Sequence, residues 1–136
     1  MAHISQDEKK TIANSINPIL RNYGLKGTLS IRHNSQLVLT IRKGGIDFIG
    51  NVNEVCGDRN FWDNRFEPIT CGYLDVNEYH YKDHFSGVAL EVLSKLIPEM
   101  KGENFYDNTD ISADFFDIKH YINVKIGTWE NPYILV

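Results

Sequence analysis

Three residues of this chain, His80, His84 and Cys56, have side chains of the types that bind metals or act in catalysis. His80 and His84 are four residues apart, a spacing that binds zinc when both imidazoles lie on one helix. Here they straddle a predicted strand end and helix start, and no third ligand accompanies them. Cys56 with a histidine would form a nucleophile and its base, but no neighbouring residue activates the thiol. These residues therefore predict neither a metal site, nor a cofactor, nor a catalytic centre.

An acidic segment near the C-terminus is a candidate binding surface. The segment 103–117 contains five acids and no base, although the whole chain carries 18 acids and 14 bases. It lacks the ligand order and the mid-loop glycine of an EF-hand, so the open interpretations are a solvated loop that caps a strand, an adventitious cation site or a surface for a basic partner. We expect four of these acids to contact a partner: Asp107, Asp110, Asp114 and Asp117.

A basic segment lies earlier in the chain, where residues 21–43 contain no acid. Its candidate contacts are Arg32, Arg42 and Lys43, which would lie on a hairpin and reach the phosphates of a nucleic acid. Sheets that recognise RNA also place aromatic rings on the same face, and this hairpin has none there. Nucleic-acid binding is therefore an alternative to protein binding.

Residues 50–72 have no clean periodicity and are interpreted as a long loop, inserted into the domain. Phe61 and Trp62 are adjacent there, and Arg59 is close by. Aromatic and arginine side chains supply much of the energy at protein interfaces, so these three are candidate partner contacts. The competing interpretation is a small satellite core beneath the loop.

Length and composition predict one globular domain over residues 1–136. The net charge is −4, and no apolar run approaches the roughly 20 residues that span a bilayer, so no membrane contact is expected. The polar N-terminus has no signal-peptide pattern, and two cysteines suit a reducing compartment. Together these features predict a cytoplasmic location.

The elements that must position these residues are two helices and an antiparallel sheet of four to five strands. Ser5 and Glu8 form a capping-box pattern for a helix over about residues 6–22, with a kink or early end at Pro18. A second helix begins near Asp83 and ends at Pro98 and Gly102; its apolar face is Phe85, Val88, Ala89, Val92, Leu93, Leu96 and Ile97.

The strands are predicted from alternation of apolar and polar residues. Residues 28–43 form a hairpin whose three-residue loop, 34–36, puts Leu29, Ile31, Leu37, Leu39 and Ile41 on one face and leaves Val38 on the outer face. Further strands are expected at 46–49, at 73–81 with Leu74 and Val76 inward, and from Ile118 to Ile126. The predicted fold is α+β, with both helices on one face of the sheet.

The C-terminal third resembles small uncharacterised proteins of tailed bacteriophages and a domain associated with large polyvalent proteins of phages and mobile elements. The resemblance lies in NFYDNTDISADFFDIKHYINVKIGTWENPY, which combines an acidic loop, a Y-I-x-I-x-I-G-like strand and a W-x-x-P-Y motif. Phe115 replaces the usual tyrosine, and the segment 50–72 is longer than in that group. The resemblance implies a phage or mobile-element origin and an α+β fold, and it implies no catalytic residues.

These observations lead to three functional hypotheses. The first is a non-enzymatic phage protein that binds a host or defence-system protein and inhibits a bacterial defence system such as CRISPR. The others are a small nucleotide-handling or hydrolytic enzyme, and a nucleic-acid-associated accessory protein that uses Arg32, Arg42 and Lys43.

Overall fold

The structure, a computed structural model, describes residues 3–59, 71–78, 80–102, 105–107 and 118–136, with the backbone alone at 56–59. Four helices and five strands occupy these ranges, and their mixture confirms the α+β class. The helices are α1 (Gln6–Asn22), α2 (Phe48–Arg59), α3 (Tyr81–His84) and α4 (Gly87–Lys101). The strands are β1 (Lys26–Arg32), β2 (Gln36–Gly44), β3 (Leu74–Val76), β4 (Tyr121–Ile126) and β5 (Ile134–Leu135).

The sheet contains the expected antiparallel pairs and also parallel pairing, so it is a mixed sheet. Its order is β1-β2-β4-β3, and the pairs β1/β2 and β3/β4 are antiparallel. β4 runs parallel to β2 over six residues, and β5 continues beside β2 with a two-residue parallel pairing. The alternation of apolar and polar residues within one strand is the same whether its neighbour is parallel or antiparallel, so this pattern does not predict the direction of pairing. A parallel pair also needs a long crossover, which here contains α2, β3, α3 and α4.

The hairpin of β1 and β2 follows the predicted facing of its side chains. Leu29 pairs with Leu39 and Ile31 with Leu37, and all four belong to or pack on the hydrophobic core. The three-residue loop is His33–Ser35, one residue earlier than expected, because Arg32 pairs with Gln36. His33 and Asn34 both have φ of 55°, a left-handed conformation that asparagine and histidine tolerate better than most residues.

Helix α1 begins as the capping box predicts but is not interrupted by its proline. The Glu8 amide donates to the Ser5 hydroxyl at 3.1 Å, and the Glu8 carboxylate accepts from the Ser5 amide at 3.3 Å. Pro18 lies inside the helix, which continues to Asn22. An early end at Pro18 was therefore wrong, and buried Ile12, Ile16 and Leu20 hold both halves of the helix against the core.

Residues 48–59 form helix α2, so the expected strand at 46–49 and the expected loop over 50–59 were both wrong. The Asp47 carboxylate accepts from the Gly50 amide at 2.9 Å and thereby caps the helix start. Phe48 is fully buried and Val52 is 6% exposed, which anchors α2 in the core. Helix α2 has low amphipathicity, which explains why periodicity missed it.

Helix α4 differs from the prediction at its start and at its proline. Strand β3 ends at Val76, α3 occupies Tyr81–His84, and α4 begins only at Gly87. Pro98 lies inside α4, and Gly102, with φ of 77°, follows the last helical residue as expected. Val88 was assigned to the apolar face, but it lies in the first turn of α4 and is 49% exposed.

One hydrophobic core lies between the helices and one face of the sheet. Inward residues of β1–β4 contact apolar residues of all four helices in a single cluster, which confirms the predicted layering. Leu74 and Val76 face inward as expected, and β4 begins at Tyr121, while Ile118 forms an isolated bridge with Asp107. Val38 belongs to the outer face but is 1% exposed. Across the described residues, no helix combines the length and apolarity needed to cross a bilayer.

Candidate basic surface, acidic surface and buried histidine

Four cations of the β1–β2 hairpin form the basic surface: Lys26, Arg32, Arg42 and Lys43. Arg32 lies beside the hairpin loop, whereas Lys26, Arg42 and Lys43 lie at the other end. The two ends are six residues apart along β1, or roughly 20 Å at about 3.4 Å per residue. The structure therefore brings Arg42 and Lys43 together but separates them from Arg32. Lys26 was absent from the sequence-based site, because its position depends on pairing across the hairpin.

The four hairpin cations are uncompensated within the described part of the protein. Ion pairs occur elsewhere, between Lys119 and Glu8 at 2.7 Å and between Lys125 and Asp75 at 3.8 Å. None of the hairpin cations forms an ion pair or a side-chain hydrogen bond with any described residue. Their charge is consequently available to an anionic ligand or partner.

The acidic surface contains one predicted residue and one that sequence reasoning missed. Asp107 is exposed, and its backbone bridges to Ile118 just before β4. Glu78 is partly buried, and its pKa is raised to about 7, chiefly by burial; the Lys101 charge opposes this rise and the nearby Asp107 charge adds to it. No sequence signal marks Glu78, because its surroundings come from distant parts of the chain. Asp110, Asp114 and Asp117 lie outside the described residues, so their role stays a prediction.

His120 is a buried polar residue in the structure, whereas the sequence predicted only that it would lie in a strand. It is 1% exposed, and its Nε2 lies 2.9 Å from the carbonyl oxygen of Met100 in the last turn of α4. A neutral ring that donates from Nε2 satisfies this contact and leaves Nδ1 without a partner among the described residues. Burial lowers the pKa of His120, and the Lys119 charge lowers it further, while the hydrogen bond to Met100 and the Glu8 charge oppose the shift.

A cleft of about 300 Å³ lies between the first turns of α1 and the end of α4. Both charge signs meet in it, from Asp7, Glu8, Lys101 and Lys119. The Glu8–Lys119 pair neutralises part of this charge, and the Lys101 ammonium lies 5.3 Å from the centre of the Phe105 ring. Because part of the charge in this cleft is neutralised, the cleft is better suited to a structural contact between α1 and α4 than to a strongly charged ligand.

Of the three partner contacts predicted in the insertion, the structure describes only the backbone of Arg59. Arg59 is the last residue of α2, and its side chain, Phe61 and Trp62 lie outside what the structure describes. Trp129 is instead the most exposed aromatic of the described part, with 77% of its surface accessible, ahead of Tyr121 and Tyr106. It lies in the turn that Thr128 and Asn131 close through backbone and side-chain hydrogen bonds.

The residues considered for metal chemistry lie near α3. His80 precedes the helix and His84 is its last residue. Among the described residues, no group of three or more His, Cys, Asp or Glu side chains is placed to hold a metal ion. No family model, curated protein or solved structure matches this chain, so its function has to be inferred from its own residues.

Proposed function

We propose that this is a non-enzymatic binding protein of a bacteriophage or mobile element, which inhibits a bacterial defence system such as CRISPR. It would dock onto a protein of that system in the cytoplasm of the host cell. The resemblance of the C-terminal motif supports the phage origin. The distribution of charge supports docking. The hairpin cations have no ion-pair partner among the described residues, and they are separate from the acidic surface at Asp107 and Glu78. Segregated charge of this kind steers a protein onto a partner of complementary potential.

The basic hairpin is the first docking surface in this proposal. Arg32 and Arg42 are exposed, and their guanidinium groups are suited to bidentate contacts with carboxylates. β1 is an edge strand, and no described strand pairs with its second side. An open edge offers backbone groups to an extended partner segment. We therefore infer that an acidic, extended segment of the defence protein binds along β1.

The acidic residues form the second docking surface. Asp107 is exposed, and we propose that Asp110, Asp114 and Asp117 contact the same partner from the adjoining segment. Arg59, Phe61 and Trp62 are proposed as further contacts on the basis of their residue types. This surface would face a basic region of the partner and set the orientation of docking.

The test is phage plating on bacteria that carry a panel of defence systems. We expect the protein to restore plating against one system. The double variant Arg32→Glu, Arg42→Glu should abolish that rescue, because it reverses two uncompensated charges. The control Lys10→Glu, Lys82→Glu changes the net charge equally at exposed sites in α1 and α3 and should retain the rescue. Unchanged plating against every system, or full rescue by the hairpin variant, would contradict the proposal.

Glu78 favours a second candidate function, a small nucleotide-handling or hydrolytic enzyme. With a pKa of about 7, the Glu78 carboxyl exists in both protonation states at neutral pH, as a general acid or base requires. Assays with phosphate and carboxylic esters would test this candidate. Turnover that Glu78→Gln abolishes, with a pH midpoint near 7, would replace the first proposal with this one.

A further inference from the structure

A cleft of about 430 Å³ lies at the end of the hairpin that is remote from its loop. It is formed where the end of α1 meets the open end of the β1–β2 pair, beside the chain that follows β5. The residues that line it are Tyr23, Gly24, Lys26, Lys43, Gly44, Gly45 and Val136.

A β-bulge places two lysines opposite each other in this cleft. Gly27 pairs with Ile41, but Lys26 pairs with Lys43, so Arg42 is an extra residue without a partner in β1. Without the bulge, regular alternation would oppose Lys26 to Arg42. Bulges commonly redirect side chains in this way, and here the two lysines become cross-strand partners that both line the cleft.

Lys26 and Lys43 carry charges of the same sign on paired positions of the hairpin. Like charges directly opposite in an antiparallel pair are destabilising. Neither Lys26 nor Lys43 has an ion-pair or side-chain hydrogen-bond partner among the described residues. No acidic side chain lines the cleft. An anion held between the two ammonium groups would remove the repulsion.

The wall of the cleft is closely packed and carries further positive charge. A side chain at Gly44 would meet Leu25 and lie 3.2 Å from the Tyr133 hydroxyl, so only glycine fits this wall. The Lys95 ammonium lies 5.3 Å from the centre of the Tyr23 ring and adds positive charge behind that ring, partly offset by Glu91.

We propose that this cleft binds the phosphoryl group of a small phosphorylated molecule between Lys26 and Lys43. Its volume lies within the range of small-ligand pockets. A nucleic-acid backbone fits less well, because Thr28 and Ser30 occupy the exposed side of β1 before the next cation, Arg32, roughly 20 Å away. The site does not depend on inhibition of a defence system, and its own test uses Lys26 and Lys43, with Arg32 as the control.

Calorimetric titration of the whole protein with inorganic pyrophosphate and with AMP tests this site. We expect saturable binding of both probes. Lys26→Gln and Lys43→Gln should each weaken binding about tenfold or more, because each removes a charge-assisted hydrogen bond. Arg32→Gln changes the net charge equally at the other end of β1 and should leave the affinity unchanged. In the absence of ligand, Lys26→Gln should raise the melting temperature, because it removes the repulsion.

Three outcomes would overturn the site. The first is the absence of saturable binding at millimolar pyrophosphate. The second is an equal loss of affinity in Arg32→Gln, which would indicate diffuse attraction. The third is tighter binding of a single-stranded oligonucleotide that also depends on Arg32, which would indicate a nucleic-acid surface. Where a lysine variant does not fold, amide shifts of the wild-type protein decide: changes confined to residues 23–26 and 43–45 support the site, and changes elsewhere exclude it.

Discussion

The ammonium group of Lys119 lies 2.7 Å from Oε2 of Glu8 and joins the segment before β4 to the first turn of α1. The same ammonium donates to the carbonyl oxygen of His3 at 2.8 Å. Glu8 thus has two roles, since it also closes the capping box with Ser5. One carboxylate therefore stabilises both the helix start and its attachment to the sheet.

Replacement of Glu8 by Gln should destabilise the protein by about 1 kcal/mol at neutral pH and low salt, since the ion pair is partly exposed. The hydrogen bond with Lys119 lowers the pKa of Glu8 below its usual 4.5. The wild-type advantage should therefore be complete above pH 4.5 and disappear as the pH falls through the lower folded-state pKa. Urea unfolding of both proteins at several pH values measures this. A constant difference at every pH would show that Glu8 acts through packing alone.

Glu78→Gln should stabilise the protein at alkaline pH. Burial raises the pKa of Glu78 to about 7, so its contribution to stability is complete below pH 4.5 and is lost as the pH rises through 7. One pKa unit corresponds to about 1.4 kcal/mol, and partial exposure reduces the gain at pH 8 to about 2 kcal/mol. Unfolding free energies at pH 4 and pH 8 measure it. Asp75→Asn, an exposed acid in β3, is the control and should not reproduce the pH-dependent gain.

His120 should make the protein less stable as the pH falls below 6.5. Burial lowers the pKa of His120, so the unfolded chain binds the proton first. Stability from this group is complete above pH 6.5 and should decrease by up to about 1.4 kcal/mol per pH unit below it. Protonation of Glu78 increases the stability of the protein over part of the same pH range, so the measurement should be made in the Glu78→Gln background. His33→Gln is the matched control, because His33 is exposed in the hairpin loop. A slope that persists in His120→Gln would assign the effect to another group.

Tyr133→Phe should cost about 1–2 kcal/mol of stability. The Tyr133 hydroxyl donates to the carbonyl oxygen of Ile46 at 2.7 Å, while its ring packs edge-on against Phe48 with centroids 5.9 Å apart. Phenylalanine preserves the ring contact and leaves the carbonyl without this donor. Tyr133→Leu loses both interactions and should cost more, which separates the hydrogen bond from the packing in urea unfolding. Equal stability of wild type and Tyr133→Phe would show that water replaces the hydroxyl.

Local patterns in the sequence predict those elements that are stabilised by interactions between residues close in sequence. The capping box at Ser5 and Glu8 gives the start of α1, and alternation in residues 28–43 gives the facing of the hairpin. Prolines 18 and 98 are poor helix terminators here, because the apolar face on both sides of each proline is held by the core. A terminator rule that ignores tertiary contacts cannot anticipate this outcome.

The candidate sites depend on contacts between distant parts of the chain, which local patterns do not contain. The opposition of Lys26 and Lys43 requires a bulge at Arg42, and no residue type there announces it. The raised pKa of Glu78 and the buried ring of His120 depend on the end of α4 and the segment before β4.

The central position of β4 imposes an order on folding. β1 and β2 are adjacent in the chain and can pair while synthesis continues, but β4 is made much later and still lies between β2 and β3. Until Tyr121–Ile126 leaves the ribosome, the backbone groups along the edge of β2 that will bind β4 have no partner there, and an open strand edge can pair with another chain. Such non-local pairing raises the contact order and slows folding. The nascent chain therefore passes through a stage in which the newly formed hairpin is prone to aggregation, and a ribosome stalled before Tyr121 should hold it in that state.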